Sequence, residues 1–206
     1  MITYGITVCD EVYEFKRLVD GLNPYLISGE KIIVLADQNK TDPEIKSYCE
    51  YLNIDFHLFD FKRDFASFKN HLLSLVETDY LFQIDADEQI PPTLLLQLRQ
   101  NIQAGQDLCY IPRVNIVHNI TDQDIQNYNW QLNEKGWIQF PDYQPRLIKK
   151  RDGLKWEGKV HEQIVGTQGF MTIPHDVKNV ELYSILHVKD IEKQRKQNEL
   201  YDQITV

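Results

Sequence analysis

Apolar runs and amphipathic stretches alternate along the first half of the chain. Ile2–Val8 and residues 31–36, 54–59 and 80–84 are short and almost continuously apolar, the pattern of strands buried on both faces. Between them, residues 11–22 carry Val12, Phe15, Leu18, Val19 and Leu22 at helical spacing. Asp42-Pro43 supplies an N-cap followed by proline at the first helical position, predicting a helix to about Leu52. Phe65, Phe68, Leu72, Leu75 and Val76 mark a third helix. The order βαβαβαβ implies an α/β fold with a mostly parallel sheet and helices on both faces.

Residues 91–104 continue with a helix whose face is Leu94, Leu98 and Ile102 and whose stop is Gly105. A long strand is expected over 108–117, where Pro112 calls for an edge position or a bulge. Beyond it the regularity fades. Residues 119–142, rich in Asn, Gln, Asp and Trp, read as a loop or loose helix; strands are expected at 143–150, 158–165 and 182–188, and a charged helix at 190–202. No repeat or linker interrupts the chain, so residues 1–206 read as one domain with a regular half, 1–105, and an irregular half, 106–206.

Composition narrows the partners. A net charge of -9 argues against a nucleic-acid binder, which needs basic surface for the phosphate backbone. Cys9, Cys49 and Cys109 are odd in number and widely spaced, which points to free thiols in a reducing compartment. No apolar stretch approaches the ~20 residues of a membrane span, and Met1 leads directly into a strand, so no signal peptide is expected. A cytoplasmic location follows.

The candidate chemistry centres on Asp85 and Asp87, which close the fourth apolar run. Open α/β sheets hold ligands at the carboxyl ends of their strands, and residues i and i+2 of an extended chain share a side. Two like charges so close repel unless a cation lies between them; Mg²⁺ or Mn²⁺, shared with a phosphate, is the economical choice. The plain alternative is a solvated acidic turn, with Glu88 favouring the start of the next helix. A phosphoryl-transfer hydrolase would carry its acid pair after the first strand, followed by Thr or Gly. A nucleotidyltransferase making sugar nucleotides would need a glycine-rich phosphate loop, and residues 6–16 contain no glycine. A non-catalytic carbohydrate-binding domain on the same fold is the non-enzyme alternative.

Asp64-Phe-Ala-Ser-Phe-Lys-Asn70 followed by Thr78-Asp-Tyr-Leu-Phe-Gln-Ile-Asp-Ala-Asp-Glu88 resembles family-2 glycosyltransferases of the GT-A fold. Ile6-Thr-Val-Cys-Asp-Glu11 resembles their first-strand loop, and Ile33-Val-Leu-Ala-Asp37 their second-strand acidic motif, although the paired acids and Gly-Ser that usually follow are absent. Arg146-Leu-Ile, Trp156-Glu-Gly-Lys-Val-His-Glu162 and His187 resemble a bacterial and phage branch. The resemblance implies a metal-dependent, inverting transfer from a UDP- or GDP-sugar to a saccharide, lipid-linked or protein acceptor. It assigns the metal to Asp85 and Asp87 with His187 as a nitrogen ligand, and the base of the nucleotide to Thr7, Asp10 and Asp37. Lys69 and Arg146 are expected at the diphosphate, and Glu162 as general base, with Asp142 and Asp122 as lesser candidates. For Glu162 to reach a pocket, its strand must end or bulge near His161, where Gly158 and Gly166 bracket the segment. One of Trp130, Trp137 and Trp156 is expected to stack on a sugar ring.

Overall fold

In the computed structural model, which describes residues 1–205, the four apolar runs become strands lying side by side. They are β1 (Ile2–Val8), β2 (Lys31–Asp37), β3 (Asp55–Phe59) and β4 (Tyr80–Asp85), joined by α1 (Val12–Leu22), α2 (Pro43–Leu52) and α3 (Phe65–Leu75). β1 lies between β2 and β4 and β2 pairs with β3, all in parallel. Strand alternation divides the apolar side chains between two cores. Ile32, Val34 and Ala36 of β2 meet Phe15, Leu18 and Leu22 of α1, whereas Ile33 and Leu35 meet Phe68 and Leu72 of α3. Each fully buried side chain of this size contributes roughly 1.5–3 kcal/mol of transfer free energy. Gly5 lets α3 close on the sheet: a Cβ there would stand 2.5 Å from Leu81 and 2.9 Å from Leu72.

The helix starts follow the sequence. The Asp42 carboxylate accepts from the Glu44 amide at 2.8 Å, and that of Asp64 from the Ser67 amide at 2.9 Å, pairing amide groups that the first turn leaves unbonded.

The second half completes the same sheet. Its elements are β5 (Glu88–Gln89), α4 (Pro92–Asn101), β6 (Leu108–His118), α5 (Asp122–Asn127), β7 (Ile138–Lys149), β8 (Lys155–Glu157), β9 (Gln163–Val165), β10 (Phe170–Thr172), β11 (Ile185–Asp190) and α6 (Ile191–Thr205). The strand order is β3-β2-β1-β4-β7-β6-β11-β5, with β10 also on β6. β7 is antiparallel to β4 and β6, and β11 parallel to β6. The mostly parallel, helix-flanked sheet is the expected fold. No helix among the described residues is long and apolar enough to cross a membrane.

One expectation is resolved and two are revised. Pro112 lies inside a central strand, and of the edge or bulge it called for, the irregularity is what the strand provides. Its neighbour on one side changes there, from β10 at residues 108–110 to β11 at 113–118, and the register with β7 shifts on either side of it. The missing amide therefore falls where the ladder is already interrupted. Residues 158–165 form no single strand: β8 and β9 pair as a hairpin, and 158–162 is its loop. Gly158 at φ 100° and His161 at φ 52° take the chain out of extended geometry, meeting the condition that Glu162 required. Finally, residues 119–142 contain α5 and the first five residues of β7, and the expected strand at 143–150 begins at Ile138.

Candidate active site

A cleft of about 780 Å³ opens at the carboxyl ends of β1, β2 and β4, bounded across from them by β11 and α6. Thr7, Asp10, Asp37, Lys69, Asp85, Asp87, Arg146, Glu162 and His187, the residues the sequence assigned to nucleotide, metal and base, all line it. As many Lys and Arg as Asp and Glu side chains face it, although the whole chain is acidic.

β4 ends at Asp85 and the chain turns at once, so Asp85 reaches the cleft from the strand end and Asp87 from the turn, not both by strand alternation. The Glu88 carboxylate accepts from the Asp85 amide at 3.0 Å, and the Ala86 amide donates to the Thr7 carbonyl at 3.0 Å. Asp85 takes a hydrogen bond from Thr7 Oγ1 at 2.9 Å and one from Arg146 at 2.7 Å. The same Arg146 nitrogen donates to Glu88 at 2.6 Å, and Arg113 lies 3.4 Å from Glu88. Burial alone would raise the Asp85 carboxyl, but the charges of Arg146 and Lys69 hold it well below the usual carboxylate range. Glu88, fully buried, is raised by that burial despite Arg146. Arg146 is thus a strut beneath the cleft, one of its guanidinium nitrogens shared by two carboxylates.

Asp87 faces another set of groups. His187 Nε2, Lys189 Nζ and Lys193 Nζ surround its Oδ2 at 3.5, 3.5 and 3.6 Å. Burial would raise this carboxyl too, but the ammonium groups of Lys189 and Lys193 hold it far below its ordinary value. The His187 tautomer is set from behind. Asn115 Nδ2 donates to Asp142 at 2.8 Å, so its Oδ1, 2.9 Å from His187 Nδ1, must accept a proton from that nitrogen. Burial drives His187 down to about 4, so the ring is neutral at pH 7 and directs the lone pair of Nε2 at Asp87. Two acceptors facing each other at 3.5 Å invite a cation between them.

Among the described residues no three His, Cys, Asp or Glu side chains converge as a ready-made metal cluster. The donor chemistry nevertheless fits a divalent cation, since carboxylate oxygen with neutral imidazole suits Mn²⁺ and, less well, Mg²⁺. Asp87 and His187 are the pair turned toward each other, and Asp85 stands beside them with Oδ2 on Arg146.

Glu162 reaches the cleft from the β8–β9 loop and forms an ion pair with Lys69, both side chains being largely buried. Lys69 Nζ also lies 4.5 Å from the centroid of the Trp156 ring. Asp142, the lesser candidate, lines the cleft but is held by Arg113 at 2.7 Å, Asn115 and Gln144; Asp122 sits on α5, away from the cleft. Asp37 is buried at the end of β2, its Oδ1 accepting from the Asn39 amide at 3.1 Å, and Asp10 is exposed at the rim. Of the tryptophans, Trp130 lines the cleft; Trp137 and Trp156 are buried in packing clusters.

The sequence reading missed Arg113, Asn115, Lys189 and Lys193. Arg113 and Asn115 left one signal, two polar residues at alternate positions of an otherwise apolar strand. The lysines left none, because charged residues around a helix start are ordinary.

Comparison with known proteins bears on the fold and the family. The profile described as Glycosyl transferase family 2 matches residues 6–175. Among solved structures, S. aureus TarS 1-349 is 14% identical with a TM-score of 0.48, covering 58% of this chain and 37% of that one. The structure of S. aureus TarS 1-349 in complex with UDP-GlcNAc is 16% identical with a TM-score of 0.47, covering 59% of this chain and 36% of that one. The matched part is thus little more than a third of those chains. No match is found among curated proteins. The family match runs from within the first strand past the Glu162 loop, over most of the chain: this chain belongs to glycosyl transferase family 2.

Proposed function

We propose that the chain transfers a sugar from a nucleoside-diphosphate donor to an acceptor hydroxyl, with inversion and with a divalent cation at Asp87 and His187. The observation that carries this reading is convergence. Residues chosen from distant parts of the sequence, in both the 1–105 and 106–206 halves, face one cleft at the carboxyl ends of parallel strands, where such sheets hold ligands. In this reading the first half holds the nucleotide and the second brings the acceptor.

Asp37, with Thr7 and Asp10, closes the end of the cleft where the nucleotide base lies; a buried carboxylate suits the N3–H of a uracil. Arg146 holds Asp85 ionised and in place. The Asn115 amide fixes the His187 tautomer so that Nε2 presents a lone pair. When bound, Mn²⁺ or Mg²⁺ supplies positive charge against the negative charge that grows on the leaving diphosphate. Glu162 takes the proton of the acceptor hydroxyl as its oxygen attacks the anomeric carbon and the bond from that carbon to the diphosphate breaks. Lys69 must first be drawn from Glu162, and an incoming diphosphate is the anion to draw it. Trp130 offers its face to the saccharide, lipid-linked or protein acceptor. The three free cysteines suit a cytoplasmic setting.

Thermal unfolding with a panel of UDP- and GDP-sugars, with and without Mn²⁺, tests the reading. A donor at 100 times its dissociation constant adds about 2.7 kcal/mol, or roughly 5–11 °C for a chain of this length. A panel in which no nucleotide sugar raises the midpoint overturns it.

A further inference from the structure

Asp87 has more cationic neighbours than one carboxylate needs. Lys189 and Lys193 both approach Oδ2, yet they stop at 3.5 and 3.6 Å, at or beyond the outer limit of a hydrogen bond. Lys189 is the more telling. Its side chain is only 5% exposed, and among the described residues its one close partner is the neutral Gln197 Oε1 at 2.6 Å. A buried ammonium whose only short contact is uncharged is incompletely compensated. Lys193, on the first turn of α6, divides its charge between Asp87 and Glu14, the latter at 3.4 Å. Both lysines line the cleft, and so does Lys196 from the same helix. Three other cations lining the cleft are already matched: Arg146 by Asp85 and Glu88, Arg113 by Asp142, and Lys69 by Glu162.

We propose that Lys189 and Lys193 join Lys69 in binding the donor's diphosphate and are stored against Asp87 until the donor arrives. The inference rests on the glycosyl-transfer reading and deepens it by naming which side chains meet the phosphates. Three groups arranged around Asp87 at 3.5–3.6 Å leave both ammonium groups able to turn toward an anion without crossing the cleft. A divalent cation on Asp87 acts in the same direction: once it neutralises the carboxylate, both lysines are released toward the phosphates. The chain therefore binds a diphosphate weakly without metal, and the metal strengthens the site instead of creating it. Asp87 has opposite effects in the two conditions, as a competitor for the lysines without metal and as a ligand with it.

The test is calorimetric titration of the chain with inorganic pyrophosphate and with UDP and GDP, first in EDTA and then in Mn²⁺. In EDTA the wild-type protein binds measurably, and Lys193→Met or Lys189→Met weakens binding roughly 10- to 100-fold, the worth of one charge-assisted hydrogen bond. Lys193 is 35% exposed, so its variant is not expected to disturb the fold. Asp87→Asn, nearly isosteric, binds pyrophosphate more tightly than wild type in EDTA and loses the gain from Mn²⁺. A purely structural pairing of the lysines with Asp87 predicts neither effect. Binding by wild type in Mn²⁺ but not in EDTA, or unchanged affinity of Lys193→Met in EDTA, overturns the lysine proposal and leaves the glycosyl-transfer reading standing. No binding of any of the three probes in either condition overturns both.

Discussion

Replacing Arg146 with methionine separates its two conceivable roles. Arg146 is 3% exposed, and the same nitrogen lies 2.7 Å from Asp85 and 2.6 Å from Glu88. Methionine keeps much of the volume and removes the charge, which leaves two carboxylates facing apolar surface. Breaking a buried pair by removing one partner costs about 3–5 kcal/mol. At roughly 2–4 °C per kcal/mol for a chain of this size, the unfolding midpoint should fall by about 6–20 °C. The loss divides unequally between the two orphaned acids. Glu88 is 0% exposed, whereas the Asp85 side chain is 37% exposed and can be hydrated, so Glu88 accounts for the larger share. Adding Glu88→Gln to Arg146→Met should accordingly recover more than half of the lost stability. Urea denaturation of the single and double variants gives both quantities, with nucleotide titration alongside. If Arg146→Met keeps the wild-type midpoint to within a degree or two and loses only diphosphate binding, the guanidinium is a ligand contact and the strut reading is wrong.

Two further outcomes follow from the same geometry. Glu162→Gln should lower transfer by roughly 10²–10⁴, the usual worth of general acid–base catalysis, while nucleotide affinity stays within a few-fold; near wild-type turnover would remove Glu162 from the mechanism. The cysteines give a pH signature. Burial pushes all three thiols up to about 12, helped at Cys9 by the Glu11 and Asp10 carboxylates. Native protein at pH 8 should therefore react slowly with iodoacetamide at all three sites, whereas urea-unfolded protein reacts promptly. Because the folded values exceed an unfolded value near 8.5, the associated stability is complete below about pH 8.5 and is lost as pH rises toward 12. Alkaline unfolding curves that stay flat over that range would contradict it.

The strands and helices of the first half were legible because their signals are local. Runs such as 31–36 and the spacing of Phe65, Phe68 and Leu72 declare burial through period alone, and Asp42-Pro43 declares a helix start through backbone chemistry. Asp85 and Asp87 were legible for a related reason, since they close an apolar run at the strand end where open α/β sheets hold ligands. The hairpin around Glu162 was half legible. Gly158 and Gly166 announced a break in the chain, but only the pairing of Lys155–Glu157 with Gln163–Val165 decided that a loop, and not a strand, carries the acid.

What the tertiary structure alone decided is which charge meets which. Arg146 looked free in the sequence because any arginine does, and its burial between Asp85 and Glu88 depends on β7 lying against β4. The His187 tautomer depends on Asn115 and Asp142, which β6 and β7 bring together. Lys189 and Lys193 become part of the cleft only because β11 joins the sheet beside β6 and α6 returns across its mouth. Periodicity reports whether a side chain is buried, a property each residue shares with its near neighbours in sequence. The identity of an ionic partner is set by strand order and crossover connections, which bring together groups as far apart in sequence as Glu14 and Lys193, and no local pattern records that.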